Sequence, residues 1–117
     1  MKQLDFSNRN VTLVICPLDM RLGFQSLSSY ALAYCMVDVT QGRDVVVFVS
    51  KSRRVCKIIT ADEKGGLILT RYLYRGRFQR LMASVERKAE CPITVAELEE
   101  YLDGKPIQTK RDNFFFG

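Results

Sequence analysis

Residues 45–78, VVVFVSKSRRVCKIITADEKGGLILTRYLYRGRF, constrain the fold of this chain more than any other stretch. Three apolar runs, 45–49, 55–60 and 67–74, are rich in the β-branched and aromatic residues that suit a pleated, half-buried surface. The link 50–54 is short and carries Lys51, Arg53 and Arg54. The link 61–66 holds Asp62, Lys64 and the pair Gly65-Gly66, which adopts positive φ angles without a Cβ clash. Both links read as hairpins, so the segment predicts a three-stranded meander. The remaining residues must then cover a face of that sheet or extend its edge.

With 117 residues, the chain has room for one core and reads as a single domain over 1–117, with 105–117 as a C-terminal tail. Residues 11–16 form a continuous apolar run ended by Pro17, as expected of a strand buried on both faces. Asp19 stands at an N-cap position, and Met20, Phe24, Leu27, Ala31 and Tyr34 follow at helical spacing, predicting an amphipathic helix over 20–37. Gly23 inside that pattern reads as a point of close backbone packing, the alternative being a later helix start. Residues 79–83 read as a turn or a further strand. Thr94 and Glu97 form a capping box ahead of Leu98, Tyr101 and Leu102, with Gly104 as the stop, predicting a helix over 95–103. The tail ends in Phe114, Phe115 and Phe116, a triplet that either packs back on the domain or docks onto a partner. The expected class is α+β: a mostly antiparallel sheet of four to five strands, one long helix packed on it, and a short C-terminal helix.

Several classes of function are disfavoured by what the sequence omits. The longest uncharged run, 22–37, is shorter than the roughly 20 apolar residues of a membrane span and contains serines and a glutamine. The charged residues of MKQLDFSNRN break the apolar core a signal peptide needs, so the expected location is the cytoplasm. Cys16, Cys35, Cys56 and Cys91 are widely spaced, and histidine is absent, so no zinc spacing is present and neither a metal nor another cofactor is expected. The cysteines read as small core hydrophobes. The absence of histidine also removes the Ser-His-Asp and Cys-His nucleophile systems. Asp19, Asp62 and Glu97 are the candidates for an acidic two-metal site, yet each has a simpler role as cap or turn residue, and no enzyme is expected.

The charge distribution points to a different chemistry. Residues 43–88 carry twelve Lys or Arg against four acids, a net of +8, whereas the rest of the chain is −3. A basic centre of this kind suits a polyanion, because each phosphate that is neutralised releases counterions; a merely solvated basic face is the other reading. The candidate contacts are Lys51, Arg53, Arg54, Lys57, Arg71, Arg75 and Arg77, with Lys57 and Arg71 expected on one surface of the paired strands. Arg75-Gly76-Arg77 is a flexible basic step that suits a narrow minor groove, or else a turn whose arginines are solvated or paired with Glu99 and Glu100. Tyr72 and Tyr74 alternate along the same strand, at positions suited to stacking on bases or to finishing a core.

The sequence also resembles a known family. Pro17-Leu18-Asp19-Met20-Arg21-Leu22-Gly23-Phe24, followed by Leu27, is similar to the Pro-x-Asp-Met-Arg-x-Gly-Phe-x-x-Leu signature of the TnpB-type accessory protein, the second reading frame of IS-sixty-six insertion sequences. Val47-Phe48, the basic loop 51–54, Lys57, Asp62, Gly65 and Leu73-Tyr74-Arg75-Gly76-Arg77-Phe78 follow the later pattern of that family without gaps. Departures fall at Ala61 in place of a tryptophan, Gly66 in place of an aromatic residue, Tyr74 in place of a glutamate, and Ser52 in place of a basic residue. The resemblance implies a non-catalytic accessory protein encoded beside a separate transposase. The expected partners are therefore DNA at the element ends, the transposase and other element-encoded accessory proteins, with no membrane and with oligomeric state left open. Two functions follow as expectations: DNA binding through the basic residues, or a protein-interaction module that uses Phe114 to Phe116 and the outer face of the first helix.

Overall fold

The computed structural model describes residues 9–14, 18–79, 81–82, 90–107 and 115–116. The expected meander is its centre. Strand β2 (Asp44–Val49), β3 (Val55–Asp62) and β4 (Gly65–Tyr72) pair antiparallel in sequence order. A two-residue loop, Glu63-Lys64, closes the second hairpin: the Asp62 carboxylate accepts from the backbone N–H groups of Lys64 and Gly65 at 2.8 and 3.1 Å. Gly65, with φ of 151°, takes a backbone conformation that a Cβ would oppose.

Two strands extend the sheet beyond β2. Strand β1 (Asn10–Val14) lies between β2 and β6 (Glu90–Ile93), giving the order β4-β3-β2-β1-β6. The β1–β2 pairing is parallel, with Val11 opposite Val45 and Leu13 opposite Val47, so the sheet is mixed and the antiparallel expectation is corrected there. A parallel pair needs a crossover, and residues 15–43 supply one that contains the first helix. As expected of the apolar run, β1 is covered on both sides: Val11 and Leu13 join one core cluster and Val14 the other. Two further pieces, β5 (Leu81–Met82) and β7 (Phe115–Phe116), pair with each other, so the end of the phenylalanine triplet returns to its own chain. Phe114 lies outside the described residues.

The first helix differs most from expectation. Helix α1 spans Phe24–Tyr30 and continues as five residues of wider π winding, Ala31–Cys35, in place of a regular helix over 20–37. The cause is local. The Asp19 carboxylate accepts from the Arg21 backbone N–H at 2.9 Å and from its guanidinium at 2.8 Å, and Leu22 N–H donates to the Asp19 carbonyl. Asp19 thus ties a turn, and Gly23 takes the N-cap position with an extended backbone. The space beside Gly23 is open, so close packing is not its reason. The π winding then shifts the facing residues: Cys35 packs toward the core and Tyr34 turns out, its ring 4.7 Å from that of Tyr30. Of the other cysteines, Cys56 is fully buried, Cys16 lies outside the described residues, and only the backbone of Cys91 is described.

The two faces of the sheet carry separate cores. Leu27, Ala31, Val39, Val46, Phe48 and Ile59 pack beneath α1. On the other face Val45, Val47, Ile58 and Phe78 meet Leu98, Tyr101 and Leu102 of helix α2 (Val95–Leu102). That helix begins with the expected capping box, Thr94 Oγ1 accepting from Glu97 N–H at 3.0 Å and Glu97 Oε1 from Thr94 N–H at 2.8 Å. It ends where Gly104, at φ 81°, allows Lys105 N–H to reach the Glu100 carbonyl, which closes the helix end.

Phe78 ties the chain after β4 into this second core. Its ring is fully buried and stacks on Tyr101 with centroids 5.3 Å apart. The Tyr101 hydroxyl donates to the Gln79 carbonyl at 2.9 Å, and the Gln79 side-chain oxygen accepts from Ile107 N–H at 2.6 Å. Phe78→Ala is therefore expected to cost about 3–5 kcal/mol of unfolding free energy, read from urea denaturation. The same variant removes the foot of the loop described next.

Candidate nucleic-acid interface

The candidate interface is a corner at one end of the sheet, made where residues 73–78 fold against the β2–β3 loop. Three hydrogen bonds join the two segments. Leu73 N–H donates to the Arg54 carbonyl at 2.9 Å, Phe78 N–H to the Arg53 carbonyl at 2.7 Å, and Arg77 Nε to the Ser52 carbonyl at 3.1 Å. The loop is closed across its base by Ser50 N–H to the Val55 carbonyl, and turned by Arg53 N–H to the Ser50 carbonyl. Lys51, Arg53, Arg54, Arg75 and Arg77 are thereby brought to one corner from positions up to 26 residues apart. Arg53 is half-buried and the other four are exposed. Among the described residues none of the five has a carboxylate in ion-pair contact, so Glu99 and Glu100 do not neutralise Arg75 or Arg77.

Arg53 holds this shape at a cost. It sits at φ 63°, a left-handed conformation that an L side chain adopts at about 1–2 kcal/mol above its right-handed alternatives. Gly76 in the facing segment, at φ 72°, makes a similar reversal without that cost.

The structure separates the other two predicted contacts. In the β3–β4 register Lys57 faces Thr70, and Arg71 faces Cys56. Lys57 and Arg71 therefore lie on opposite faces of the sheet, which corrects the expectation that they share one. Arg71 is exposed on the α2 side, near the corner. Lys57 is half-buried on the α1 side, and its Nζ donates to the Leu22 carbonyl at 2.9 Å. Its ammonium closes the turn ahead of α1. A further basic residue, Arg9, belongs to the far end of the sheet, where its guanidinium donates to Thr60 Oγ1 and the Ala61 carbonyl.

No metal-ligating cluster accompanies these cations among the described residues. Among the described residues no three Cys, Asp or Glu groups gather closely enough to hold a metal ion. Asp19, Asp62 and Glu97 serve three separate turns and caps. Burial pushes the Cys56 thiol up to about 12, leaving it protonated and unreactive at neutral pH. Among the described residues, no helix is long and apolar enough to cross a membrane.

The family described as IS66 Orf2 like protein matches residues 9–112. The chain belongs to that family. No curated protein and no solved structure matches it. Membership in the IS66 Orf2-like family makes this an accessory protein of insertion-sequence transposition.

Within the signature, residues 19–24 acquire a physical role in this member of the family. Asp19 and Arg21 pair within the turn, Leu22 presents its carbonyl to Lys57, and Phe24 lays its ring over Gly66. A Cβ at Gly66 would overlap that ring, so the glycine leaves the space that Phe24 fills. Sequence reasoning missed this contact.

Two outcomes test this geometry. Arg53→Gly is expected to leave stability unchanged or raise it by about 1 kcal/mol, because glycine adopts the left-handed conformation without strain. Thermal unfolding reads this directly. The Asp19 carboxyl, held at about 2 against an ordinary 3.8 by the Arg21 guanidinium and backbone N–H, should titrate near 2 by NMR. In Arg21→Ala its midpoint should rise toward the ordinary value. Because the folded pKa is the lower one, the stabilisation is complete above pH 3.8 and disappears as pH falls through about 2.

Proposed function

We propose that this accessory protein acts without catalysis, by binding DNA of its insertion sequence through the cationic corner. The observation that carries this reading is the joining of two basic segments by hydrogen bonds to main-chain carbonyls, which gathers at one end of the sheet five cations that have no carboxylate partner among the described residues. Lys51, Arg53, Arg54, Arg75 and Arg77 supply phosphate contacts, and Arg71 lies at the margin. Lys57 contributes through the turn that it closes. Contacts of this kind position a protein on DNA and release counterions, so affinity depends steeply on salt.

A second reading is favoured by a different surface. Leu32, Tyr34 and Met36, at the end of the first helical segment, are 57%, 68% and 89% exposed. They suit contact with the transposase or a sister accessory protein, in which case DNA is never touched. On this reading a transposase complex survives nuclease treatment and high salt.

Mobility shifts with element-end duplex distinguish the two. With four to five phosphates engaged, log Kd should change with log salt at a slope of roughly 4. Arg75→Ala/Arg77→Ala should reduce that slope by about 1–2 and weaken binding by about tenfold at low salt. Absence of any shift at low ionic strength with both the duplex and a single strand of the element end, or a shift indifferent to salt, rules out the DNA-binding reading.

A further inference from the structure

We infer that the corner takes hold of unpaired DNA: Tyr72 and Tyr74 are platforms on which the bases of a single strand stack while its phosphates run over the neighbouring cations. This rests on the DNA-binding reading above and adds which form of DNA the corner prefers. The first observation is exposure. Tyr74 is 97% exposed and Tyr72 65%, although tyrosine normally covers its apolar ring and leaves only the hydroxyl wet. Among the described residues neither ring has an aromatic partner and neither hydroxyl has a hydrogen bond.

The second observation is how the aromatic groups are held. Residues 74–77 form a short projection with both feet fixed: Leu73 packs against the second core and bonds to Arg54, while Phe78 is buried and bonds to Arg53. Tyr72 is the last residue of β4, in register with Val55 at the edge of the sheet. A projection fixed at both ends loses little freedom when a ligand binds, so little of the stacking gain is cancelled by ordering. Its order, Tyr74-Arg75-Gly76-Arg77, sets a π-face beside cations, the combination that binds single strands with little regard to sequence.

Duplex DNA uses this arrangement poorly. Its bases are stacked on one another, and exposing a base face costs unstacking energy that a strand already unpaired does not require. Insertion of Arg75-Gly76-Arg77 into a minor groove would favour duplex and give the tyrosines no part. The two modes therefore predict opposite preferences, and the exposed rings decide between them.

The test is fluorescence anisotropy at one fixed salt concentration, with a labelled single strand of about 20 nucleotides from the element end and the duplex of the same sequence. The single strand should bind at least several-fold more tightly. Tyr72→Ala/Tyr74→Ala should weaken single-strand binding by roughly 10- to 100-fold and duplex binding by less than about twofold. Tyr72→Phe/Tyr74→Phe keeps the rings and should bind the single strand like the wild type. Both positions are exposed, and matching thermal unfolding verifies that each variant is folded. Equal or tighter duplex binding overturns this inference and leaves the DNA-binding reading intact, as does an alanine pair that weakens both forms alike or neither. Failure of both probes to bind overturns the two together.

Discussion

The stack of Phe78 on Tyr101 is the contact on which the rest of the corner depends. Without it, residues 74–79 would be a polar segment following the last meander strand, with only main-chain bonds to hold it. With it, the chain leaving β4 is inserted into the core beneath α2, and the residues just before the insertion must lie against the β2–β3 loop. The magnitudes are unequal in a useful way. Burial of a phenylalanine of this kind is worth several kcal/mol, whereas repulsion between exposed cations in salt solution amounts to less than about 1 kcal/mol per pair. Apolar packing therefore holds the charges together against their own repulsion, and no acidic neighbour is required to make the corner stable.

The same division of labour explains the basic residues outside the corner. Lys57 and Arg9 both direct their charge onto carbonyl oxygens, of Leu22 and Ala61 respectively, in half-buried surroundings. A cation bonded in this way completes the fold and has less capacity left for a ligand. Arg77 is intermediate, since one guanidinium N–H is given to Ser52 and the remaining donors are exposed. Net charge along the chain cannot distinguish these roles. What distinguishes them is whether the fold brings a carbonyl within reach of the charged group.

Much of the fold was legible in residue pattern. The meander, the capping box and the glycine stop after α2 are local features, and local chemistry was enough to predict them. The parallel β1–β2 pairing was not read, because strand direction leaves no mark on hydrophobic periodicity; the helical pattern between the two strands was the available signal. The helix start was misplaced because Asp19 satisfies both an N-cap and an Asx-type turn, and Arg21 two residues later selects the turn. The corner was only partly legible. Proximity of Arg53 to Arg77 depends on where Phe78 is buried, a tertiary fact with no short-range signature.

The separation of Lys57 from Arg71 shows how narrow the margin for such inferences is. A two-residue hairpin loop places odd-numbered residues of β3 opposite even-numbered residues of β4. A one-residue slip of the pairing that drew Gly65 into the loop would reverse the parity and bring Lys57 and Arg71 to the same face. Asp62 prevents this: its carboxylate holds the N–H groups of Lys64 and Gly65, and the glycine takes the backbone angle that the short loop demands. One carboxylate at the far end of the hairpin thus determines which cations share a face five to nine residues away. The electrostatic surface of this protein is, in that sense, set by its turns before it is set by its charges.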